Sequence, residues 1–309
     1  MGEILWRERL RQLWPGPVWM GETSVALCGI VRNEVKSILE WLAYYKALGV
    51  DEFLIYDNDS NDGTEVILQA LDEAGEVIYL DWPHAVALWP QRRAYEHARR
   101  WAQAEWLAFF DADEFLVLHQ HDSIGAFLQR FDDDVAAVAV NWVIFGSDGQ
   151  ARYRPQPVTQ RFGDALPQGA TWNRVVKSIG RRRMLTWTGI HRVDPGQGRY
   201  VTASGAVAEF DGRIRTRTAD TGTATLNHYI IKSLEEFEEK LQRGNANSQQ
   251  SVGRRTRLER RFPALDAGGA RNTDIAVWTG RMRQEAMRLR DVLLDRGISY
   301  PVWPFVEAE

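Results

Sequence analysis

The stretch VALCGIVRNEVKSILEWLAYYKALGVDEFLIYDNDSNDGT, residues 25–64, decides the predicted fold. It opens with the compact apolar run Val25–Val31, which predicts a buried strand. Apolar side chains then recur at helical spacing over residues 35–48, and Gly49 is a typical residue to end that helix. The apolar run Phe53–Tyr56 predicts a second strand. Because a helix connects the two strands, the pattern predicts a parallel pair.

The alternation of strands and helices continues as far as residue 145. Asp62 and Glu65 form a capping-box pattern that opens a helix ending near Gly75, and Pro90 suits the first turn of another helix. We expect a further helix at 123–131 and further strands at 77–80, 106–110 and 135–145. Repeated units of this kind predict an α/β fold with a mostly parallel sheet and helices on both faces.

The second half of the chain is less regular. Residues 146–224 are rich in Gly, Arg, Thr and Pro, which indicates short strands and loops. Ser233 and Glu236 form a capping-box pattern that opens a helix reaching Arg243. Residues 274–296 are amphipathic and predict another helix. We therefore expect one domain followed by a C-terminal helical extension.

The composition excludes several classes of protein. The 309 residues are 44% hydrophobic and 26% charged, as in an ordinary globular protein, and the net charge of −4 argues against a nucleic-acid binder. The lone Cys28 indicates a reducing compartment. Residues 1–20 mix charges and Pro into the apolar positions, so no signal peptide is predicted, and no apolar run is long enough to span a membrane. We expect a cytoplasmic protein, with a peripheral membrane contact through the Trp- and Arg-bearing residues 1–20 left open.

Three polar loops follow predicted strands, at residues 32–34, 57–62 and 111–114. Ligands of parallel sheets bind beyond the carboxyl ends of the strands, so these loops predict one crevice. Asp111 and Asp113 stand two residues apart on an extended segment, which lets both carboxylates face one hard divalent ion. Such an ion would neutralise the oxygens of a ligand's diphosphate.

Four segments together resemble an inverting glycosyltransferase of the GT-A fold, in the broad family 2 grouping and closest to its family 92-like branch. They are residues 28–64, WLAFFDADEFL (106–116), NWVIFGSDG (141–149) and NHYIIKSLEEFEEKLQRG (227–244). The resemblance implies a nucleotide-sugar donor, most often UDP-linked, a carbohydrate or glycoconjugate acceptor, and Mn²⁺ or Mg²⁺ at the D-x-D motif. It also implies a role in polysaccharide biosynthesis. The domain would span residues 1–245, with a donor half at about 22–120 and an acceptor half at about 121–245, before the extension 246–309.

The resemblance also implies roles for individual residues. The metal ligands would be Asp111 and Asp113 of the D-x-D motif and His228 from the second half, with Asp111 also a ribose contact. Donor-binding residues would be those of the loops after the first two strands and of the segment before the D-x-D motif, together with one lysine: Arg32, Asn33, Glu34, Asp57, Asp59, Gln91, Arg93 and Lys232. Lys240 and Arg243 would add positive charge near the leaving diphosphate.

The catalytic base stays open between several carboxylates. Inversion needs a carboxylate to accept the proton of the attacking hydroxyl, and the second half offers Asp148, Glu209, Asp211 and Asp220. The family often has Ser at the position of Asp148, so the resemblance does not support that residue. Two other functions remain as alternatives: a nucleotide-sugar-binding protein without turnover, and a sugar-phosphate nucleotidyltransferase. The nucleotidyltransferase would need a Gly-rich basic loop after the first strand, where this chain has Arg32-Asn33-Glu34.

Overall fold

The computed structural model describes residues 23–83, 89–243 and 260–300. Within these ranges the strands, numbered in chain order, are β1 (Val25–Val31), β2 (Glu52–Asp57), β3 (Ile78–Asp81), β4 (Trp106–Phe109), β5 (Glu114–Leu118), β6 (Val135–Ile144), β7 (Asp164–Ala165), β8 (Val176–Arg181), β9 (Leu185–Thr188), β10 (Val193–Pro195), β11 (Arg199–Thr202), β12 (Ala224–His228) and β13 (Ala270–Arg271). The helices are α1 (Ile38–Ala47), α2 (Thr64–Glu73), α3 (Pro90–Trp101), α4 (Ile124–Gln129), α5 (Val158–Arg161), α6 (Leu234–Arg243), α7 (Phe262–Leu265) and α8 (Thr279–Leu294).

In the described residues one sheet of nine strands dominates, in the order β3-β2-β1-β4-β8-β6-β12-β5, with β11 also paired to β6. Parallel pairs join β1 to β2 and β4, β2 to β3, and β6 to β11 and β12. β8 runs antiparallel between β4 and β6, and β5 runs antiparallel to β12. The predicted mostly parallel sheet is therefore confirmed.

The two faces of the sheet carry separate hydrophobic clusters. Along β1, Val25 and Leu27 point into one cluster, whereas Ala26 and Cys28 point into the other, as the period of two of a strand requires. The first cluster contains the apolar faces of α1, α2 and α8. The second contains Ala94, Tyr95 and Ala98 of α3, which packs on β1. The prediction of helices on both faces is thus also confirmed.

Helix α8, in the C-terminal extension, packs along α1. It therefore belongs to the layer of helices that covers the same face of the sheet as α1 and α2. Its buried side chains repeat at helical spacing, and Arg288 forms an ion pair with Glu76, in the turn between α2 and β3. The ring of Trp278, just before α8, packs edge-on against Tyr44 of α1. The helix begins later than predicted because residues 274–278 form a 3-10 turn. No helix in the described ranges is both long and apolar enough to cross a bilayer.

Some local predictions were wrong in detail. β5 was not predicted: its apolar residues 115–118 directly follow the acidic turn and so continue the pattern of the preceding strand. Helix α1 begins at Ile38 because residues 34–37 form a turn in which the carbonyl of Glu34 accepts the N–H groups of Ser37 and Ile38. Helix α2 is capped by Gly63, at φ 100°, rather than by Asp62. Residues 1–20, the proposed membrane contact, lie outside the described residues.

Candidate active site

The acidic turn between β4 and β5 lies at the carboxyl end of the parallel part of the sheet. The turn is closed by two hydrogen bonds: the N–H of Glu114 donates to the carbonyl of Asp111 at 3.0 Å, and the N–H of Asp111 donates to Oε2 of Glu114 at 2.8 Å. Asp111 and Asp113 thus project from a hydrogen-bonded turn, and not from the extended segment that the sequence analysis expected. Their side chains, however, meet different partners.

Asp111 is held by three side chains of the protein. Its Oδ1 accepts hydrogen bonds from Nε2 of Gln91 at 2.8 Å and from the hydroxyl of Tyr95 at 3.3 Å. Its Oδ2 lies 3.0 Å from Nζ of Lys177, a lysine that is fully buried in β8. Burial would lower the pKa of Lys177, but the carboxylates of Asp111 and Glu114 raise it well above its usual value. Asp111 therefore has a permanent internal counter-ion.

Asp113 meets His228 and Lys240 instead. His228 ends β12, whose register with β5 places it opposite Glu114, and its Nε2 lies 3.3 Å from Oδ1 of Asp113. Nζ of Lys240, on α6, donates to Oδ2 of Asp113 at 2.6 Å. Burial alone would raise the pKa of Asp113, but Lys240 and His228 outweigh that effect and hold it well below its usual range. The structure therefore brings Asp113 and His228 together and leaves Asp111 in a separate set of contacts.

The residues around Asp113 suit Mn²⁺ or Mg²⁺ in their chemistry. Carboxylate oxygens are preferred by both ions and an imidazole nitrogen suits Mn²⁺. Nδ1 of His228 and Oε1 of Glu114 lie 3.9 Å apart, and both are buried without a hydrogen-bond partner in the described ranges. Among the residues that the structure describes, no three His, Cys, Asp or Glu side chains are close enough to enclose an ion. This donor set fits an ion held by one or two protein groups together with phosphate oxygens, which is how Mg²⁺ is usually bound.

A cavity of about 300 Å³ opens beside Asp113, between the loop after β1 and helix α6. Its charged lining includes Glu34, Lys232, Lys240 and Arg243. Arg243 donates to the carbonyls of residues 32 and 33 at 2.6 Å and to Oε1 of Glu34 at 2.7 Å, and Lys232 lies 3.5 Å from Oε2 of Glu34. Although burial would raise it, these two cations hold the pKa of Glu34 below its usual value. The loop after β1 and helix α6 are therefore joined by ion pairs across the cavity.

The loops after β1 and β2 are bound to each other. Asn33, at φ 52°, accepts the N–H of Asn61 at 2.9 Å, and its own N–H donates to Oγ of Ser60 at 2.9 Å. Asp57, which ends β2, is only 3% exposed, and its Oδ1 has no hydrogen-bond partner among the described residues. Burial raises the pKa of Asp57 to about 6, in spite of a hydrogen bond with Ser60. A buried, unsatisfied carboxylate oxygen at a strand end is suited to accept an N–H from a ligand.

Other predicted donor residues are scattered around this crevice. Asp59 is exposed in the loop after β2, with φ 60°. Arg32 is half-buried, and no described residue forms a hydrogen bond with its Nε. Gln91 reaches Asp111 as described, whereas Arg93, two residues further along α3, is exposed.

The candidate bases are engaged elsewhere. Both carboxylate oxygens of Asp148 accept backbone N–H groups, from residues 163 and 164 at 2.8 and 3.0 Å. Asp211 forms an ion pair with Arg174, and Glu209 is largely exposed, 3.8 Å from Arg217. Asp220 accepts the N–H of residue 204 at 2.9 Å. Asp148 and Asp220 therefore brace loops, while Glu209 and Asp211 lie on the surface.

Sequence reasoning missed three residues of the site, Tyr95, Trp142 and Lys177, and gave Glu114 no role beyond its place in the predicted crevice loop 111–114. The ring of Trp142 packs 4.3 Å from that of His228 and 5.4 Å from that of His191, whose pKa burial lowers to about 4. The signal for Lys177 was present in VVKSI, residues 175–179, where a lysine interrupts an apolar run. A lysine is almost never fully buried unless it is paired.

Comparison with known proteins places the chain in a family. A model of glycosyltransferase family 92 matches residues 22–260. A family 92 protein of Ricinus communis is 27% identical over 300 residues, which is 91% of this chain and 49% of that protein. A family 92 protein of Arabidopsis thaliana is 25% identical over 230 residues, 71% of this chain and 37% of that protein. The chain thus spans about half, or less, of the length of the curated relatives it matches.

The fold is also similar to two solved enzymes. One is a mannosyltransferase from Pyrobaculum calidifontis in complex with GDP-Man and Mn²⁺, with TM-score 0.40, 13% identity, and coverage of 96% of this chain and 83% of that one. The other is glucosyl-3-phosphoglycerate synthase from Mycobacterium tuberculosis, with TM-score 0.32, 15% identity, and coverage of 58% and 62%. Because the family match extends over most of its length, the chain belongs to glycosyltransferase family 92.

Proposed function

We propose that this chain transfers one sugar from a nucleotide-sugar donor, UDP-linked, to a carbohydrate or glycoconjugate acceptor, with inversion and with Mn²⁺ or Mg²⁺ as cofactor. The observation that carries the proposal is the meeting of Asp113, His228 and Lys240 beside a charged cavity at the carboxyl end of the sheet. Family membership supports the class of reaction. The lone cysteine, Cys28, is buried and free, which agrees with a cytoplasmic location.

In this proposal the nucleoside lies over the loops after β1 and β2. Oδ1 of Asp57, buried and unpaired, accepts an N–H of the base, and Asn33 shapes the loop that faces it. Glu34 keeps Lys232 and Arg243 turned toward the cavity that receives the diphosphate. These cations stabilise the negative charge that develops on the leaving group.

Asp113 and His228 would hold the metal ion. When bound, the ion would supply positive charge to the diphosphate oxygens as the bond to the sugar breaks. Asp111 would not bind the ion, because Gln91, Tyr95 and Lys177 fix its carboxylate. Its side chain is still 31% exposed, which would leave room for a contact with the donor. We assign it to the ribose rather than to the ion.

The base would come from the acceptor half. Asp148 already accepts two backbone N–H groups, so the exposed Glu209 and Asp211 are the better candidates for the proton of the acceptor hydroxyl. The second candidate function is a protein that binds nucleotide sugars without turnover. It would apply if none of these carboxylates reaches the acceptor.

The test is the release of free nucleotide from a panel of UDP- and GDP-sugars, with and without added acceptor sugars, in Mn²⁺ and in excess chelator. We expect Mn²⁺-dependent release with one donor, and loss of release in Asp113→Asn with its thermal unfolding temperature retained. Asp134→Asn is the matched control, because Asp134 is also ion-paired, to Arg199, but lies on the surface. Donor binding without release in any arm would favour the binding protein, and full activity in chelator would refute the metal assignment.

A further inference from the structure

Each aspartate of the D-x-D motif is paired with a lysine, but the two pairs differ in kind. The Asp111 partner, Lys177, has no exposed surface and lies on a central strand, so its ammonium group cannot leave. The Asp113 partner, Lys240, has a side chain that is 32% exposed and stands on a helix that lines the cavity. One counter-ion is therefore permanent, and the other is free to be replaced.

The ammonium group of Lys240 occupies the coordinating side of Asp113. It lies 2.6 Å from Oδ2, while Nε2 of His228 lies 3.3 Å from Oδ1, so nitrogen atoms meet both carboxylate oxygens. Nζ also donates to the carbonyl of Ile230 at 2.9 Å, which fixes it in the gap between Asp113 and the segment after His228. An ion that binds Asp113 and His228 must compete with this ammonium group for the carboxylate.

Three other cations line the cavity: Lys36 pairs with the exposed Glu239, and Lys232 and Arg243 are not available for exchange in the same way as Lys240. Arg243 and Lys232 both pair with Glu34, a carboxylate that the proposed metal site does not use. Of Lys232, Arg243 and Lys240, only Lys240 would lose its carboxylate partner when Asp113 binds a metal ion. If the proposed function holds, a diphosphate then enters this cavity, and an exposed ammonium group that has lost its counter-ion is suited to bind it.

We propose that Lys240 is a replaceable counter-ion: it neutralises Asp113 until metal and nucleotide arrive, and then binds the diphosphate. The proposal rests on the proposed function for the identity of the anion, but its first step concerns the metal ion alone. It makes two predictions of opposite sign. Lys240 weakens the binding of Mn²⁺ without nucleotide, and it strengthens the binding of nucleoside diphosphate once Mn²⁺ is present.

The first measurement is the titration of the full chain with Mn²⁺ alone, with free Mn²⁺ followed by electron paramagnetic resonance. Lys240→Met should bind Mn²⁺ roughly threefold to tenfold more tightly than the wild type, because a competitor for Asp113 has been removed. Lys240→Arg keeps the charge and should not bind more tightly. Lys36→Met is the matched control: Lys36 is 33% exposed at the same cavity but pairs with Glu239, so its removal should change the affinity less than twofold.

The second measurement is the affinity of each variant for UDP or GDP, whichever binds the wild type better, at saturating Mn²⁺. Lys240→Met should bind it about tenfold more weakly, and Lys240→Arg should restore most of the loss. Unchanged or weaker Mn²⁺ binding in a folded Lys240→Met protein would overturn the proposal, as would the absence of Mn²⁺ binding in every variant. Tighter Mn²⁺ binding in a chain that never releases nucleotide would uphold the competition and refute the transferase instead.

Discussion

Asp57 should destabilise the free protein at neutral pH, and Asp57→Asn should therefore stabilise it. The residue is 3% exposed, its Oδ1 has no hydrogen-bond partner in the part of the chain that the structure describes, and burial raises its pKa from 3.8 to about 6. Each pKa unit corresponds to about 1.4 kcal/mol between the two protonation states, so the shift is equivalent to about 3 kcal/mol at most. Asn keeps the shape and the acceptor for Ser60 but carries no charge into the site.

The sign follows from proton linkage. Below pH about 4 the carboxyl group is neutral in both folded and unfolded chains, so wild type and Asp57→Asn should unfold with nearly the same free energy. Between about pH 4 and about pH 6 the unfolded chain releases the proton before the folded one, and the wild type loses stability. Above about pH 6 the difference should stay constant, with the variant more stable by about 1–3 kcal/mol.

The assay is urea unfolding of both proteins at a series of pH values from about 4 to about 8, followed by tryptophan fluorescence. Asp133→Asn is the control, because the side chain of Asp133 is fully exposed and its replacement should give no such pH-dependent difference. A variant that is less stable than the wild type at neutral pH, or a difference that does not change between about pH 4 and about pH 6, would refute the reasoning.

Three further predictions concern the ligands and the core. Asp57→Ala should weaken the binding of UDP and of UDP-sugar alike, by about 1–3 kcal/mol, as measured by calorimetry; a change in sugar selectivity with unchanged UDP affinity would contradict its assignment to the base. His228→Ala should raise the Mn²⁺ concentration that half-saturates the protein about tenfold or more, and an unchanged titration would return His228 to a structural role. Arg161→Met should lower the free energy of unfolding by about 3–5 kcal/mol, since Arg161 and Glu236 form a buried bidentate pair at 2.7 and 2.8 Å. A loss below about 1 kcal/mol in urea unfolding would show that Glu236 finds another partner.

The part of the site that could be predicted from the sequence is the part that depends on strand ends. Apolar runs fix β1, β2 and β4, and the carboxyl ends of parallel strands meet at one edge, so the order of residues alone assigns Asp57 and Asp113 to one crevice. The Ser233–Glu236 capping box is also confirmed, with Oγ of Ser233 donating to Oε2 of Glu236 at 2.6 Å and accepting the N–H of Glu236 at 3.3 Å. These signals are local, because each depends on residues only a few positions apart in the chain.

The buried partner of Asp111, Lys177, was not predicted, because it reaches the site through antiparallel pairings of β8 with strands far away in the chain, and His228 was grouped with the two aspartates only through the family resemblance. β8 enters the sheet between β4 and β6 from a region whose Gly- and Arg-rich sequence shows no strand periodicity, and it brings Lys177 beneath Asp111. The contacts of Asp148, one of the candidate bases, were not predicted either. Asp148 follows β6 as predicted, but its φ of 49° and its two backbone hydrogen bonds show that it closes a turn.

In the segment from His228 to Arg243, strand register fixes the position of His228, and helix spacing fixes the positions of Lys240 and Arg243. His228 faces Asp113 because β12 pairs with β5 in a register that sets it opposite Glu114, and a slip of one residue would turn the imidazole to the other face of the sheet. Helix α6 then begins at Leu234, where Ser233 caps it, so Lys240 and Arg243 lie three residues apart on one helical face. From that face one side chain reaches Asp113 and the other reaches Glu34. The position of the helix start therefore sets which cation meets Asp113, and a shift of the cap would separate Lys240 from Asp113 without altering any residue of the D-x-D motif.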